Sequence, residues 1–384
     1  MAAVLALGSV LKNAACLRHE RSDGTFVRWS TLHGSLDRPE ACAALEASAE
    51  RLIEQAGGGV DALAHDLHVE DVHCTRLAAM LADRLDVPAL AVQHHLAHVA
   101  VTLAEQPVGG PVIGLALDGG APGDDGMLWG GEVFRLHGAH HARLAHLQPI
   151  AMPGSGLAVR EPWRLAAAVL HALGRGDEIE ARFRDAVGPE RARTIALLLE
   201  RGADCPPTTS CARWFDAAAA ALDVRLRQIH PAEAATALER LASHWLATHR
   251  APEHGDLIAV EGDCIQLLPL FERLFELGAQ GATGEGAALF HLVLAEALAQ
   301  VSGGAAADAG AFEVVVGGGC FHNRLLGDLL DTRLRRRALD MLRPSTVDCG
   351  DAGLALGQAW FAAQQLARDR AWSPTLPPED WPCA

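Results

Sequence analysis

The chain has 384 residues, half of them hydrophobic, with a formal net charge of −16 and a pI near 5.6. That length and apolar share can bury one large core or two lobes, whereas the acidic balance argues against a general nucleic-acid surface, which needs basic patches. No uninterrupted apolar run of about 18 residues marks a membrane span, and Met1 to Val10 lacks the basic start of a signal peptide. Nine scattered cysteines, with no C-x-x-C pair, fit free thiols in a reducing cytoplasm rather than a disulfide framework or zinc finger. The absence of Tyr reads as base composition and says little about function.

Three short strands open the chain: Val4 to Leu7, Ala14 to His19 and Thr25 to Trp29. A helix from Pro39 to Gln55, a strand near Ala62 to Ala64 and a helix from Val72 to Leu85 follow. A strand at Ala89 to Val92 then leads into a helix, His94 to Glu105. The three-strand opening recurs at Val112 to Leu117, Met127 to Leu136 and Ala142 to Gln148. A long Ala- and Leu-rich helical stretch runs from about Val159 to Arg250. Strand–helix alternation returns with Glu313 to Val316, a helix from Phe321 to Arg336, a strand near Ala338 to Met341 and a last helix from Gly353 to Ala367. A β-β-β-α-β-α-β-α order used twice predicts an α/β protein of two related lobes with a cleft between them, the second lobe carrying a helical insertion. The lobes divide at residues 1–110 and 111–384, with the final helix returning to the cleft.

The most informative residues are Gln93-His94-His95-Leu96-Ala97-His98. On a helix His94 and His98 share one face and can aim two imidazoles at a single point. With one or two carboxylates from elsewhere they form a mixed donor set suited to Fe(II), Zn or Mn. Asp118 ends an apolar strand and is followed by Gly119 and Gly120, which aims a carboxylate while letting a ligand approach the backbone. Asp351, just before the last helix, is a further ligand if that helix crosses the cleft. Asp124 and Asp125 serve the turn before Met127. Gly317-Gly318-Gly319, between a strand and a helix, suggests amides and a helix N-terminus facing a phosphate, although no G-K-[ST] follows. Lys12, in the first turn, either meets a phosphate or is solvated. The charged segments Arg160 to Arg164 and Arg213 to Asp216 either cap and pair helices or touch substrate.

Several of these segments occur together, in this order, in a known family. They are Leu7 to Asn13, Asp66-Leu67-His68, Val92 to His98, Leu117 to Gly120 and Asp124 to Glu132. Arg160 to Arg164, Arg213 to Asp216, Gly318-Gly319 with Phe321 to Leu326, and Asp351-Ala352-Gly353 complete the set. Together they resemble the carboxy-terminal half of the HypF carbamoyltransferases, which mature nickel–iron hydrogenases, over essentially the whole chain. That domain is similar to the transferase that makes threonylcarbamoyladenosine in tRNA, and both share the actin, Hsp70 and sugar-kinase fold.

The resemblance implies that carbamoyl phosphate and ATP give a carbamoyl adenylate, whose carbamoyl group passes to the C-terminal cysteine of a HypE-like partner. That product leads towards the cyanide ligands of the hydrogenase iron. It implies His94, His98, Asp118 and Asp351 as ligands of a divalent metal (Fe or Zn, with Mg or Mn as alternatives), His94 and His98 also serving catalysis. Gly119, Gly318, Gly319 and Asn323 would hold the nucleotide, Asp216 its ribose, and Lys12 would act in the first phosphate loop. Two positions depart from the family: Gly317 replaces its Ser, and Leu96 replaces a His of its HHHAH run. The activating domains that precede this segment in full-length members do not fit ahead of residue 3, so adenylate synthesis is expected to need another protein. Threonylcarbamoyl transfer to tRNA, carbamoylation of a small-molecule hydroxyl and a non-catalytic nucleotide-binding scaffold remain alternatives, and a homodimer is left open. No membrane partner is expected, and the acidic charge disfavours nucleic acid.

Overall fold

The computed structural model describes residues 2–57, 59–67 and 72–372; His68, part of one family-like segment, lies outside them. The first lobe runs β1 (Ala3–Ala6), β2 (Cys16–Arg21), β3 (Gly24–Trp29), α1 (Pro39–Gln55), β4 (Ala62–Asp66), α2 (Val72–Leu85), β5 (Ala89–Val92) and α3 (His94–Glu105). The second opens with β6 (Val112–Pro122), β7 (Leu128–His137), β8 (His140–Leu147) and β9 (Ile150–Ala151). It continues through α4 (Gly156–Arg160), α5 (Trp163–Ala172), α6 (Glu178–Val187), α7 (Pro189–Arg201), β10 (Pro207–Thr208), α8 (Cys211–Ala221) and α9 (Glu233–Thr248). Then come β11 (Ala259–Glu261), β12 (Cys264–Gln266), α10 (Leu268–Ala279), α11 (Thr283–Ala309), β13 (Glu313–Gly317), α12 (Arg324–Arg335), β14 (Asp340–Leu342) and α13 (Leu354–Trp372).

Both sheets carry the same core order. The first is β3-β2-β1-β4-β5; the second contains β8-β7-β6-β13-β14, extended past β8 by β12 and β11. In each, the first three strands are antiparallel neighbours and the last two join in parallel. The fold is therefore the two-lobed actin/Hsp70/sugar-kinase type. Parallel pairing puts the ends of β4 and β5 side by side, with Asp66 opposite Val92, and ligands bind at such strand ends.

The two lobes interlock through one pair of helices. α3 follows the first sheet in sequence yet packs on β6 and β13 of the second, while α13 packs back on β1, β2 and β4 of the first. Their crossing is close enough that a Cβ on Gly357 would collide with the Ala97 carbonyl, and α3 lies equally close to β13, where one on Gly317 would strike the His98 carbonyl. Gln358 of α13 accepts a hydrogen bond from the Gly8 amide at 3.0 Å, fastening the last helix to the first-lobe turn that carries Lys12.

Helix and strand limits follow the sequence reading most closely where punctuation is strong. α1 starts on Pro39, whose missing N–H costs nothing in a first turn. α3 starts after Gln93, whose side-chain oxygen accepts from the His95 and Leu96 amides at 2.7 and 3.0 Å. Most strand ends move by one or two residues, but β6 runs on to Pro122 and its pairing with β7 is interrupted between Leu117 and Ala121. That bulge lifts Asp118, Gly119 and Gly120 out of the ladder. The stretch from Val159 to Arg250 is not one run of helix: β10 pairs with β7 and β9 inside it. The helix read from Phe321 to Arg336 splits into a 3-10 turn, Gly319–His322, and α12, with Asn323 as the cap between them.

β11, β12, α10 and α11 have no counterpart in the sequence reading. α11 is long and apolar enough to cross a membrane by length and composition, but 78% of its apolar window is buried inside the molecule. A helix apolar on every side belongs in a core. Phe290 of α11 and the Phe215 and Phe271 rings packed on it are fully buried, each worth about 1.5–3 kcal/mol of apolar burial.

Candidate metal and nucleotide site

The i, i+4 pair behaves as its spacing requires. His98 Nε2 lies 3.0 Å from His94 Nε2, with the rings edge to face. From the second lobe, Asp118 Oδ2 stands 3.6 Å from His94 Nε2 and 3.7 Å from His98 Nε2. Asp351 Oδ1 stands 3.7 and 3.6 Å from the same two nitrogens. All four ligand atoms fall within 4.8 Å of one another, and this is the one such group among the described residues. Donors bonded at about 2.0–2.2 Å to a shared ion sit roughly 2.8–3.6 Å apart when cis. Two imidazoles and two carboxylates at these separations fit a divalent cation.

The surroundings orient the ligands. His94 Nδ1–H donates to Asp66 Oδ2 at 2.6 Å, which turns Nε2 towards the cluster as in carboxylate–histidine–metal arrangements. Asp118 Oδ1 accepts the Gly319 amide at 3.0 Å, leaving Oδ2 for the imidazoles. Burial disfavours charge on His94, yet Asp66 and Asp118 outweigh it and hold its pKa well above the ordinary value. Burial likewise opposes ionisation of Asp118, but the His98 and His94 charges keep its carboxyl well below the usual range. His95 has no part in the cluster. Burial, then the His94 charge, push its pKa down to about 3, and the Gln93 amide meets its Nδ1 at 3.0 Å.

Beside the cluster opens a cleft of about 360 Å³ whose lining includes Lys12, Asp118, Gly119, Asp216, Gly319 and His322. Asp118 thus faces both the cation group and the cleft. Lys12, the single lysine of the chain, stands in a left-handed turn (φ 47°) at its edge. Asp216 is buried, accepts from Gln228 Nε2 at 3.0 Å, and lies 3.1 Å from Arg213. Oδ2 is the oxygen that Arg213 Nη2 approaches, as an ion pair without hydrogen-bond alignment. Burial, against the pull of Arg213, raises its pKa to about 6.

The glycine turn does not form the anion cradle read from sequence. Gly318 N–H is spent on the Cys349 carbonyl at 2.8 Å, and Gly319 N–H on Asp118. Gly318 (φ 104°) is placed for packing, since a Cβ would strike the Leu117 carbonyl. The first amides of α12 are also taken, Leu325 by Glu239 at 3.2 Å and Leu326 by the Asn323 cap at 2.9 Å. Asn323 and Gly319 line the cleft while bonding to the protein; Gly119, exposed and outside the ladder, keeps an open backbone face.

The other charged segments divide. Arg213 faces the cleft beside Asp216. Glu161 is pinned by Arg164 and Arg191, the helix-pairing role read for Glu161 and Arg164 of the segment. Asp125 binds the Met127 amide and the Trp129 indole, which is turn work. Sequence reasoning gave no site role to Asp66, His322 or Asp348. Asp66 was visible only as a strand-end carboxylate in a family-like segment, and nothing local announced the His322–Asp348 pair.

A two-lobed fold of this type, with a cation-suited cluster beside a cleft, marks a broad fold class rather than one activity. Residues 114–358 match the family described as carbamoyltransferase, Kae1-like domain, second subdomain, and residues 1–105 match the HypF Kae1-like domain. The chain belongs to the HypF carbamoyltransferase family. It is 49% identical to a carbamoyltransferase HypF homolog of Cupriavidus necator over 100% of this chain and 97% of that protein. It is 35% identical to carbamoyltransferase HypF of Rhizobium leguminosarum bv. viciae, covering 96% of this chain but 46% of that one. A crystal structure of full-length HypF in its phosphate- and nucleotide-bound form superposes with a TM-score of 0.84 at 28% identity, covering 97% of this chain and 47% of the other. The chain thus spans nearly all of the first relative and about half the length of the others.

Proposed function

We propose that this chain transfers a carbamoyl group from a carbamoyl adenylate, bound in the cleft, to the C-terminal cysteine thiolate of a HypE-like partner during hydrogenase maturation. Carbamoyl phosphate and ATP are the ultimate sources of the donor. The observation that carries the reading is Asp118, shared between the cation group and the cleft wall. It sets a bound nucleotide's phosphate next to the cluster.

In this reading His94, His98, Asp118 and Asp351 hold the cation, and lobes 1–110 and 111–384 each supply half of its ligands. A divalent ion there supplies Lewis acidity towards a carbamoyl or phosphoryl oxygen. Asp66 fixes the His94 tautomer. The Asp216 carboxylate accepts from the ribose hydroxyls, and Gly119 lets the phosphate approach the backbone. Lys12 and His322 supply positive charge that the glycine-turn amides, already bonded, do not.

The chemistry asks for no protein nucleophile. The incoming thiolate forms a C–S bond, the C–O bond to phosphate breaks, and AMP leaves with the electron pair. The chain's own sulfur in the cleft does not compete. The Cys320 thiol is hydrogen-bonded to Cys211 and buried, which pushes its pKa well up, and a thiol is a poor nucleophile until ionised.

Incubating the purified chain with carbamoyl adenylate and a HypE-like protein ending in cysteine tests the proposal. Mass spectrometry should show a carbamoylated terminal cysteine formed faster than without the chain. Equal rates with and without it would refute transfer.

A further inference from the structure

His322 is absent from every role above except as a charge on the cleft wall, yet its ring makes two bonds that join separate parts of the site. Nδ1 lies 2.9 Å from the Gly319 carbonyl, which can only accept, so Nδ1 carries a proton. Nε2 lies 3.1 Å from Asp348 Oδ2. Each partner leads to a different carboxylate of the cation group. Gly319 N–H donates to Asp118 Oδ1 at 3.0 Å. Asp348 Oδ1 accepts the Gly350 amide at 2.8 Å, in the turn that delivers Asp351. The ring therefore spans two loops, one after β13 and one before α13, that are otherwise tied by the Gly318–Cys349 backbone bond. It also lines the cleft beside Lys12 and Gly319.

We propose that His322 is a positioning residue that couples the nucleotide cleft to the cation cluster by bridging Gly319 and Asp348. The inference rests on the functional reading above and deepens it. A nucleotide pressing on the Gly319 turn shifts a carbonyl that the ring connects to the Asp351 arm, so occupancy of the cleft and order of the carboxylates favour each other. Linkage makes the effect reciprocal: whatever factor the cation adds to nucleotide affinity, the nucleotide adds to cation affinity.

The test measures AMP affinity by calorimetry, with and without saturating Zn²⁺, in the wild type, His322→Ala and His322→Gln. The ring is half-exposed, so either variant should keep the fold, as circular dichroism would show. In the wild type Zn²⁺ should tighten AMP at least about fivefold, the lower end of ordinary coupling. In His322→Ala that factor should fall to about one, on top of the weaker AMP binding that loss of the ring's positive charge itself brings. His322→Gln, still able to donate a hydrogen bond, should restore part of it. Full coupling in His322→Ala, or no recovery in His322→Gln, overturns the proposal. A wild type that binds AMP and Zn²⁺ independently overturns the proposal alone. One that binds neither overturns the functional reading as well.

Discussion

Asp66 and His94 are joined by a 2.6 Å hydrogen bond between Oδ2 and Nδ1, made by two side chains at neighbouring strand ends of the first lobe. The bond commits one imidazole nitrogen to the protein and the other to the cluster. Replacing Asp66 with Asn keeps the size and removes the charge that fixes the tautomer. Cation affinity, measured by competition with a chelating dye, should fall about 10–100-fold, the usual cost of losing such a partner. Unchanged affinity would mean that His94 is oriented by packing alone.

Lys12 is the single lysine in 384 residues, so amine chemistry reports on one side chain besides the N-terminus. Periodate-oxidised ATP followed by borohydride should label Lys12, and excess ATP should protect it. Peptide mapping reads the outcome. Labelling at the N-terminus alone would place Lys12 out of reach of the nucleotide.

Asp216 provides a pH signature. Its folded pKa, raised to about 6 by burial, exceeds the unfolded value of about 3.9. The native state therefore holds a proton through this range that the unfolded chain has released, and the penalty for a charged, buried Asp216 grows as pH rises towards 6. Ribose hydroxyls that donate to the carboxylate offset that penalty. Adenosine, which carries no titrating phosphate, should bind more tightly as pH rises through about 6. The dependence should vanish in Asp216→Asn, as calorimetry between pH 5 and pH 8 would show. A flat wild-type profile would remove Asp216 from the ribose site.

Gly357 tests the crossing of the two long helices. A Cβ there meets the Ala97 carbonyl of α3, one residue before the ligand His98. Gly357→Ala must push the helices apart, an overpacking cost of about 1–3 kcal/mol or more. Calorimetric melting should drop by several degrees, and cation affinity should fall with it because α3 carries both imidazoles. A melting temperature equal to the wild type would show that the crossing has slack.

Much of the first lobe was legible because its signals are local. Pro39 and Gln93 punctuate helices, apolar runs mark β4 and β5, and a four-residue interval put His94 and His98 on one face. Asp118 and Asp351 could be nominated one at a time, but their meeting with the imidazoles depends on α3 and α13 crossing between lobes, which no window of sequence contains. The same limit hid the His322–Asp348 pair, whose members are 26 residues apart on different loops. α11 escaped because it is apolar all round and leaves no helical period. The glycine turn misled for another reason: sequence shows that amides are present, not that Cys349 and Asp118 have already claimed them.

Anomalous diffraction from crystals grown with Zn²⁺, collected on both sides of the zinc edge, tests the central claim most directly. The account predicts one strong peak bonded to His94 Nε2, His98 Nε2, Asp118 Oδ2 and Asp351 Oδ1 at about 2.0–2.2 Å, and its loss in His94→Ala. Zinc bound elsewhere, or no peak among these four groups, would contradict it.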